Sequence, residues 1–550
     1  MDRRISGIVA AAALSGLTTF ALTPRAAACG GFFCNNSGID QSGENILFSI
    51  NADGTVSTVV QIQYQGPSET FAWILPVPAE PTVSVGTDAL FTALSQSTAP
   101  QFYLQYETEG ECRAEPSCYN GPWFGAEDDR SGAGSFQDGG VASPDPGVDV
   151  RFRGNVGPYD VAVLAAGDPV ALRDWLGDNG YLIPAEASAE LDYYVALGNY
   201  FVALKLQKDR DTGEIQPIVL RSDNDEPCIP IRLTRIAATP DMPVTAYFLA
   251  ESRYRPMNYM LVNPDLEDAG LYTGTSTYAS AVSRAVDDAG GHAFVTDYAG
   301  DVPAIDITLG SIEHLRTETN AKRFLEALLS TGLRGDSQLL SILLRNVPPP
   351  TGTDPQSFYN CLVNEWCTEY DAYVNGLTFD PSRLVDELNE GVITPREEAQ
   401  ALLSSHGHLT RLFTTLSPSE MTEDPTFAVS GELPRESSNR HEATMVFHCG
   451  PEYFQWTAPT SIRFASGRDE HVSDGVAYYG TDSQYCEDRG AGFYPGASMD
   501  QLREIASSRG NVLRGGGLCA VTRGTPTAWP IGLALLGLAS LGLAFRRRRR

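Results

Sequence analysis

Lysine is almost missing: Lys205, Lys208 and Lys322 are the only three among 39 basic residues, which reads as genome composition bias. Cations of any kind are outnumbered by 69 acids, and the formal charge is −30. That balance argues against nucleic acid or an anionic membrane surface as partner of the folded body, since both need a basic face. Catalytic signatures are missing as well. There is no G-x-S-x-G, H-E-x-x-H or P-loop pattern, so no catalytic residue is assigned. There is no C-x-x-C, the seven histidines are scattered, and His448-Cys449 has no partners at metal spacing. A structural zinc site is therefore not expected, and no cofactor is.

What is present can build a core. Of 550 residues, 42% are hydrophobic and 20% charged, which fits two to four folded domains and excludes general disorder. The two ends differ from the rest. Arg3 and Arg4 precede an uncharged stretch from Ile5 to Leu22, followed by Ala26-Ala27-Ala28. This is the layout of a secretory signal peptide over residues 1–28, cut after Ala28. Cleavage there leaves Cys29 first, so a lipid on Cys29 is the alternative anchor. At the other end Trp529–Phe545 carries no charge, and Arg546–Arg550 follow directly. Seventeen apolar residues approach the shortest bilayer-spanning helix, and five arginines favour the cytoplasmic side. The expected topology places the bulk of the chain outside.

An exported chain meets oxidising conditions, so its ten cysteines are expected to pair. Nearness in sequence suggests Cys29/Cys34, Cys112/Cys118 and Cys361/Cys367, with Cys449/Cys486 as the fourth pair. Cys228 is left with Cys519. Tyr359–Tyr373 has a helical pattern, yet six residues of helix would hold Cys361 and Cys367 about 9 Å apart. A disulfide needs Cα atoms within about 7 Å, so a break between them is expected. The only metal candidate is calcium at Asp209, Asp211 and Glu214, which crowd one turn with Gly213. The spacing is not that of an EF-hand, and Asp-Thr-Gly needs no metal to turn.

Along the chain, Glu44–Ile50 and Thr55–Gln65 read as strands around Asn51-Ala-Asp-Gly54, a hairpin turn. Residues 29–122 form a β-rich region and 123–149 a flexible acidic, Gly-rich insertion. Residues 150–310 read as an α/β region in which Asp168-Pro169 starts a helix. Within it Tyr200–Gln207 and Ile215–Leu220 look like a hairpin, and Ile229–Ala237 and Val244–Ala250 continue the sheet. Residues 311–421 read as a helical subdomain, including Leu409–Leu416, whose leucines recur at helical spacing. Strands return over 422–510, where ten aromatics fall between 447 and 495. Residues 511–528 form a stalk and 529–550 the membrane helix with its arginine cluster. The fold class expected is α+β: a mixed, largely antiparallel sheet region with a helical subdomain, a signal peptide and one C-terminal transmembrane helix.

Two resemblances rest on particular residues. Cys29-Gly-Gly-Phe-Phe-Cys34, Phe71-Ala-Trp-Ile-Leu-Pro-Val-Pro78 and the segment Leu233–Val244 resemble a family of uncharacterised secreted bacterial proteins, domain of unknown function 2330. That family has no assigned activity, so the resemblance implies export and nothing chemical. Arg514-Gly515-Gly516-Gly517-Leu518-Cys519, the apolar run and the terminal arginines resemble the myxobacterial C-terminal sorting domain. That implies membrane retention, processing near Cys519, and surface delivery by the export and sorting machinery. The functional expectation is an exported, membrane-tethered or surface-displayed protein with a binding or structural envelope role. An extracellular hydrolase without a recognisable motif is the alternative. The aromatics of 447–495 suit a glycan or an envelope protein as partner. No nucleophile with an adjacent base and orienting acid is expected in residues 29–510.

Overall fold

Glu44–Ile50 carries the apolar run Ile46-Leu47-Phe48 and Asn51-Ala-Asp-Gly54 turns, and the first two strands pair antiparallel through that turn, with Gly54 at φ +84°. The computed structural model describes residues 40–65, 71–115, 148–207, 210, 214–223, 226–331, 333, 336–363 and 367–479. These fall within one of two compact units, Met1–Glu504; the other, Ile505–Arg550, lies outside the described residues.

In chain order the strands are β1 (Asp40–Ile50), β2 (Val56–Gln65), β3 (Ala72–Val77), β4 (Thr82–Val85), β5 (Gln101–Glu109), β6 (Val148–Val156), β7 (Tyr159–Ala166), β8 (Tyr200–Leu206), β9 (Ile218–Ser222), β10 (Met242–Ala250), β11 (Tyr254–Pro256), β12 (Met260–Leu261), β13 (Ala293–Asp301), β14 (His408–Leu416), β15 (Phe427–Val429), β16 (Arg440–His448), β17 (Thr460–Phe464) and β18 (Asp469–Ser473). The helices are α1 (Asp88–Thr98), α2 (Pro169–Asp178), α3 (Ala185–Ala196), α4 (Ile231–Thr234), α5 (Ala269–Thr273), α6 (Tyr278–Asp288), α7 (Ala321–Leu329), α8 (Ser337–Asn346), α9 (Pro355–Leu362), α10 (Asp371–Gly376), α11 (Pro381–Leu388) and α12 (Thr394–Ser404).

The main sheet has eight strands in the order β12-β13-β14-β10-β1-β2-β9-β4. A second sheet runs β3-β8-β7-β6, a side sheet runs β18-β17-β16-β5, and β11 pairs with β15. Pairing is antiparallel except for β1 with β10, β12 with β13, and β5 with β16. The class is mixed α+β.

Alternation builds the layers. Ile46 and Phe48 of β1 meet Trp73, Val161 and Val202 of the second sheet in one apolar core between the two sheets. The opposite face of the second sheet, through Ile74, Leu164 and Phe201, is covered by Leu172 of α2 and Leu191 of α3. Across the main sheet, Leu47, Tyr247 and Leu409 pack under Phe91 of α1 and Leu403 of α12. Helices α7 to α11 enclose a separate core around Phe324, Phe358 and Leu384.

Four expectations change. Leu409–Leu416 is not helical but forms β14, a strand between β10 and β13. It is buried on both faces, so its apolar residues do not alternate and their spacing imitates a helix. Tyr200–Gln207 and Ile215–Leu220 are not a hairpin: β8 pairs with β3 and β7, whereas β9 pairs with β2 and β4. Ile229–Ala237 contributes the short helix α4 rather than a strand. Finally β16, from the aromatic-rich region, lies parallel to β5 from the N-terminal region. Among the described residues no helix is long and apolar enough to cross a membrane. The signal segment 1–28, the insertion residues 123–147, and the anchor residues Trp529, Phe545 and Arg546 lie outside them.

Candidate functional site

The end of the main sheet at which parallel β1 and β10 finish gathers Ser49, Asn51 and His406. Ser49 Oγ lies 2.7 Å from His406 Nε2 and 3.1 Å from Asn51 Oδ1. Asn51 gives its amide protons to Thr55 and Ser57, each at 3.0 Å, which turns Oδ1 toward Ser49. The serine therefore either donates to Asn51 and accepts from Nε2–H, or donates to Nε2 itself. Burial lowers the imidazole pKa and the charge of Glu251 opposes that effect. A serine beside an imidazole is the start of nucleophilic chemistry. Here Ser49 is 0% exposed, and Glu251 is felt only as a through-space charge. The arrangement ties the β1–β2 turn to the segment after α12 and presents no open nucleophile.

A second polar cluster lies where β13 bulges between Thr296 and Tyr298. Asp297 accepts a hydrogen bond from the Tyr278 hydroxyl, and Arg411 Nε stands 3.1 Å from its other oxygen. The Arg411 guanidinium lies 5.7 Å from the centre of the Tyr247 ring. Burial pushes the Asp297 carboxyl up to about 6, against the pull of Arg411 and Tyr278. Beside it, buried Arg253 reaches Thr296 at 2.8 Å and Glu436 at 3.1 Å. The sequence signal for this cluster is a lone charge within an uncharged run, Asp297 within Ala293–Gly300 of β13 and Arg411 within Leu409–Leu416 of β14.

A third cluster surrounds Cys228, which has no disulfide partner among the described residues; Cys519, its expected partner, lies outside them. Asp424 accepts from the Tyr194 hydroxyl at 2.8 Å and from the Arg232 backbone N–H at 3.0 Å. Burial raises Asp424 to about 6, and burial followed by the charges of Asp424 and Glu226 raises the Cys228 thiol to about 12. Such a thiol is a poor nucleophile. Buried Glu190 binds Arg232 at 2.9 Å and Arg235 at 2.7 Å, which ties the Leu233–Val244 segment to α3.

The cysteines correct the local pairing scheme. Cys112 bonds to Cys449, 337 residues away, with Cα atoms 4.7 Å apart. It therefore pairs neither with Cys118 nor Cys449 with Cys486; Cys118 and Cys486 themselves lie outside the described residues. The register of β5 and β16 brings the two sulfurs together: Glu109 faces His448, and both cysteines follow those strand ends. Cys361 and Cys367 do pair, with Cα atoms 5.2 Å apart, and α9 ends at Leu362 between them. Ala28, Cys29, Cys34 and Cys519 lie outside the described residues, as do Asp209 and Asp211. Glu214 is buried and meets Arg210 at 2.6 Å and Arg345, so its carboxylate is committed to guanidinium groups. Among the described residues no group of His, Cys, Asp and Glu could hold a metal ion.

The aromatics of 447–495 divide. Arg113, next to the disulfide, lies 5.3 and 5.4 Å from the centres of the Phe454 and Tyr478 rings, which pack on each other at 5.5 Å. Trp456 stacks on Phe454 at 6.0 Å and donates to Glu115 at 2.9 Å. Phe464 is core. On the side sheet Tyr106, 59% exposed, stacks on Phe447 at 6.2 Å, and Tyr479 is 86% exposed.

Two stacked sheets flanked by helices and a disulfide-clasped side sheet with exposed Tyr106 define the class: a cross-linked α+β protein. Residues 23–384, more than half of the chain, match the family described as uncharacterized protein conserved in bacteria (DUF2330), and the chain belongs to it. The match ends within α11, whereas β14 and the side-sheet strands β16 to β18 follow it. No curated protein and no solved structure matches the chain.

Proposed function

We propose that this protein is exported, held at the membrane by its C-terminal apolar segment, and displayed outside the cytoplasm in a binding or structural envelope role. The observation that carries the reading is the Cys112–Cys449 bond, which joins strands from opposite ends of the chain and needs an oxidising compartment. The signal-like N-terminus and the Trp529–Phe545 run with its arginines support it. The uncovered rings of Tyr106 and Tyr479, with half-buried Phe447 stacked on Tyr106, suit a glycan or an envelope protein as partner. Cell fractionation tests the location. The full chain should sediment with membranes, deletion of Ala520–Arg550 should release a folded, oxidised protein, and Cys519→Ser should block surface maturation alone. A deletion variant that stays with the membrane would move the anchor to Cys29. A full chain recovered reduced from the cytosol would end the reading.

An extracellular hydrolase is the second reading, favoured by the Ser49–His406 contact. Labelling of Ser49 in the native protein by a fluorophosphonate would establish it; the proposed role expects none.

A further inference from the structure

We propose that the Cys112–Cys449 disulfide is a redox clasp: its reduction opens the side sheet locally, freeing β16 to β18 from β5 while the two-sheet body stays folded. Both strands start from fixed points. Glu436 exchanges backbone hydrogen bonds with Ala299 at 2.7 and 2.9 Å, and its carboxylate receives Arg253. Three residues on, Asn439 binds the Ala99 carbonyl at 2.8 Å and accepts from the Gln101 N–H at 2.7 Å. From that base β5 and β16 run parallel, Gln101 opposite Arg440 through Glu109 opposite His448. The disulfide closes their far end.

Beyond the ladder, the module meets β5 through partly exposed side chains: Arg463 lies 3.4 Å from Glu107 and 2.9 Å from Glu109, His448 lies 3.2 Å from Glu109, and Gln105 donates to Glu442 at 3.0 Å. Its own buried core is two small clusters, Ala443, Ile462 and Phe464 with Ala269 of α5, and Phe454 with Tyr478. Its ion pair to the body, Arg468 with Glu267 at 3.4 Å, is solvent-exposed and therefore weak. Phe454 and Tyr478 pack on each other at 5.5 Å, and Arg113, the residue after Cys112, lies against both rings. With the base fixed, the cross-link closes a loop of only roughly two dozen residues, so it acts on local opening more than on global unfolding. Both of its cysteines are partly exposed, whereas Cys361 of the other pair is buried. A dithiol reductant can therefore reach it. The reductant gives two electrons and two protons and leaves as its own disulfide, and Cys112 and Cys449 become thiols. Opening uncovers the inner edge of β5 and the apolar strip of Leu104 and Met445.

Hydrogen exchange on the full oxidised chain, the chain treated with dithiothreitol, and the Cys112→Ser/Cys449→Ser double variant tests this. Exchange in residues 101–109 and 440–473 should rise by roughly tenfold or more in the last two samples, with β1, β10 and β14 unchanged. A Cys361→Ser/Cys367→Ser variant, kept oxidised, should leave 101–109 and 440–473 protected. Unchanged protection there after reduction overturns the clasp. Loss of protection spreading to β1, β10 and β14 overturns it too, because the bond would then hold the whole fold.

Discussion

Glu44 stands on the face of β1 that carries Ile46 and Phe48 into the inter-sheet core, with the Gln41 amide 3.3 Å away. Burial pushes its carboxyl from 4.5 up to about 7, and the Gln41 hydrogen bond pulls only weakly the other way. A carboxyl raised on folding adds stability below its unfolded pKa and loses that contribution as pH climbs through the folded value. Glu44→Gln should therefore be near neutral at pH 4.5 and stabilising by up to about 3 kcal/mol at pH 8. Urea titrations at the two pH values check this; equal effects at both would reject it. Arg411→Met is the opposite case. It strips Asp297 of its cation and should cost about 3 kcal/mol or more at pH 8. At pH 5, where Asp297 is mostly protonated, the loss should shrink, and a loss that does not shrink means the guanidinium matters only as packing. Neither group was evident from residue type alone. Gln41 and Glu44 look like ordinary polar residues at the start of a strand, and the neighbours that enclose that strand start, Ala237, Thr239 and Val244, lie about 200 residues away in sequence.

At the scale of single elements, local chemistry was readable where it is self-contained. Asp168-Pro169 starts α2, with the aspartate accepting from Val170 N–H. The same signature recurs at Asp354-Pro355 and Asp380-Pro381, where Asp380 accepts from both Ser382 and Arg383. Asp380→Ala should cost about 1 kcal/mol and Asp380→Asn much less. Thermal unfolding of the two variants decides; identical losses would show that the cap hydrogen bonds are not what counts. Elements defined by distant partners were not readable. Leu409, Leu412, Phe413 and Leu416 fall at i, i+3, i+4 and i+7, a helical pattern, and only β10 and β13 on either side make them a strand. Cys112 had Cys118 six residues away, and nothing local revealed that β16 would lie beside β5.

For the molecule as a whole, three imidazoles lowered by burial, His406, His408 and His441, lose stability as pH falls. Against them four carboxyls raised by burial, Glu44, Asp297, Glu420 and Asp424, act in the same direction as the net charge of −30. Each of these carboxyls takes up a proton more readily when folded, and lower pH also relieves repulsion among the acids. The melting temperature should rise from pH 8 to pH 5.5, and added salt should raise it more at pH 8 than at pH 5.5. Differential scanning fluorimetry over that grid checks both slopes, and a melting temperature that falls toward pH 5.5 would reject the account.

The position of β14 has a consequence for how the molecule is made. A chain emerges from the ribosome, or from a translocation pore, N-terminus first. β1, β2 and β10 can pair once residue 250 is out, but β10 and β13 then wait with bare edges for a strand that starts at His408. More than a hundred residues, including helices α7 to α12, must pass before the gap is filled. During that interval Phe248 and Phe294, both buried in the finished protein, face solvent or a neighbouring nascent chain. A stalled or truncated product ending before residue 408 is thus an adhesive half-sheet, and faithful biogenesis requires a holding chaperone or a pore that delivers the last quarter of the chain faster than the open edges find one another.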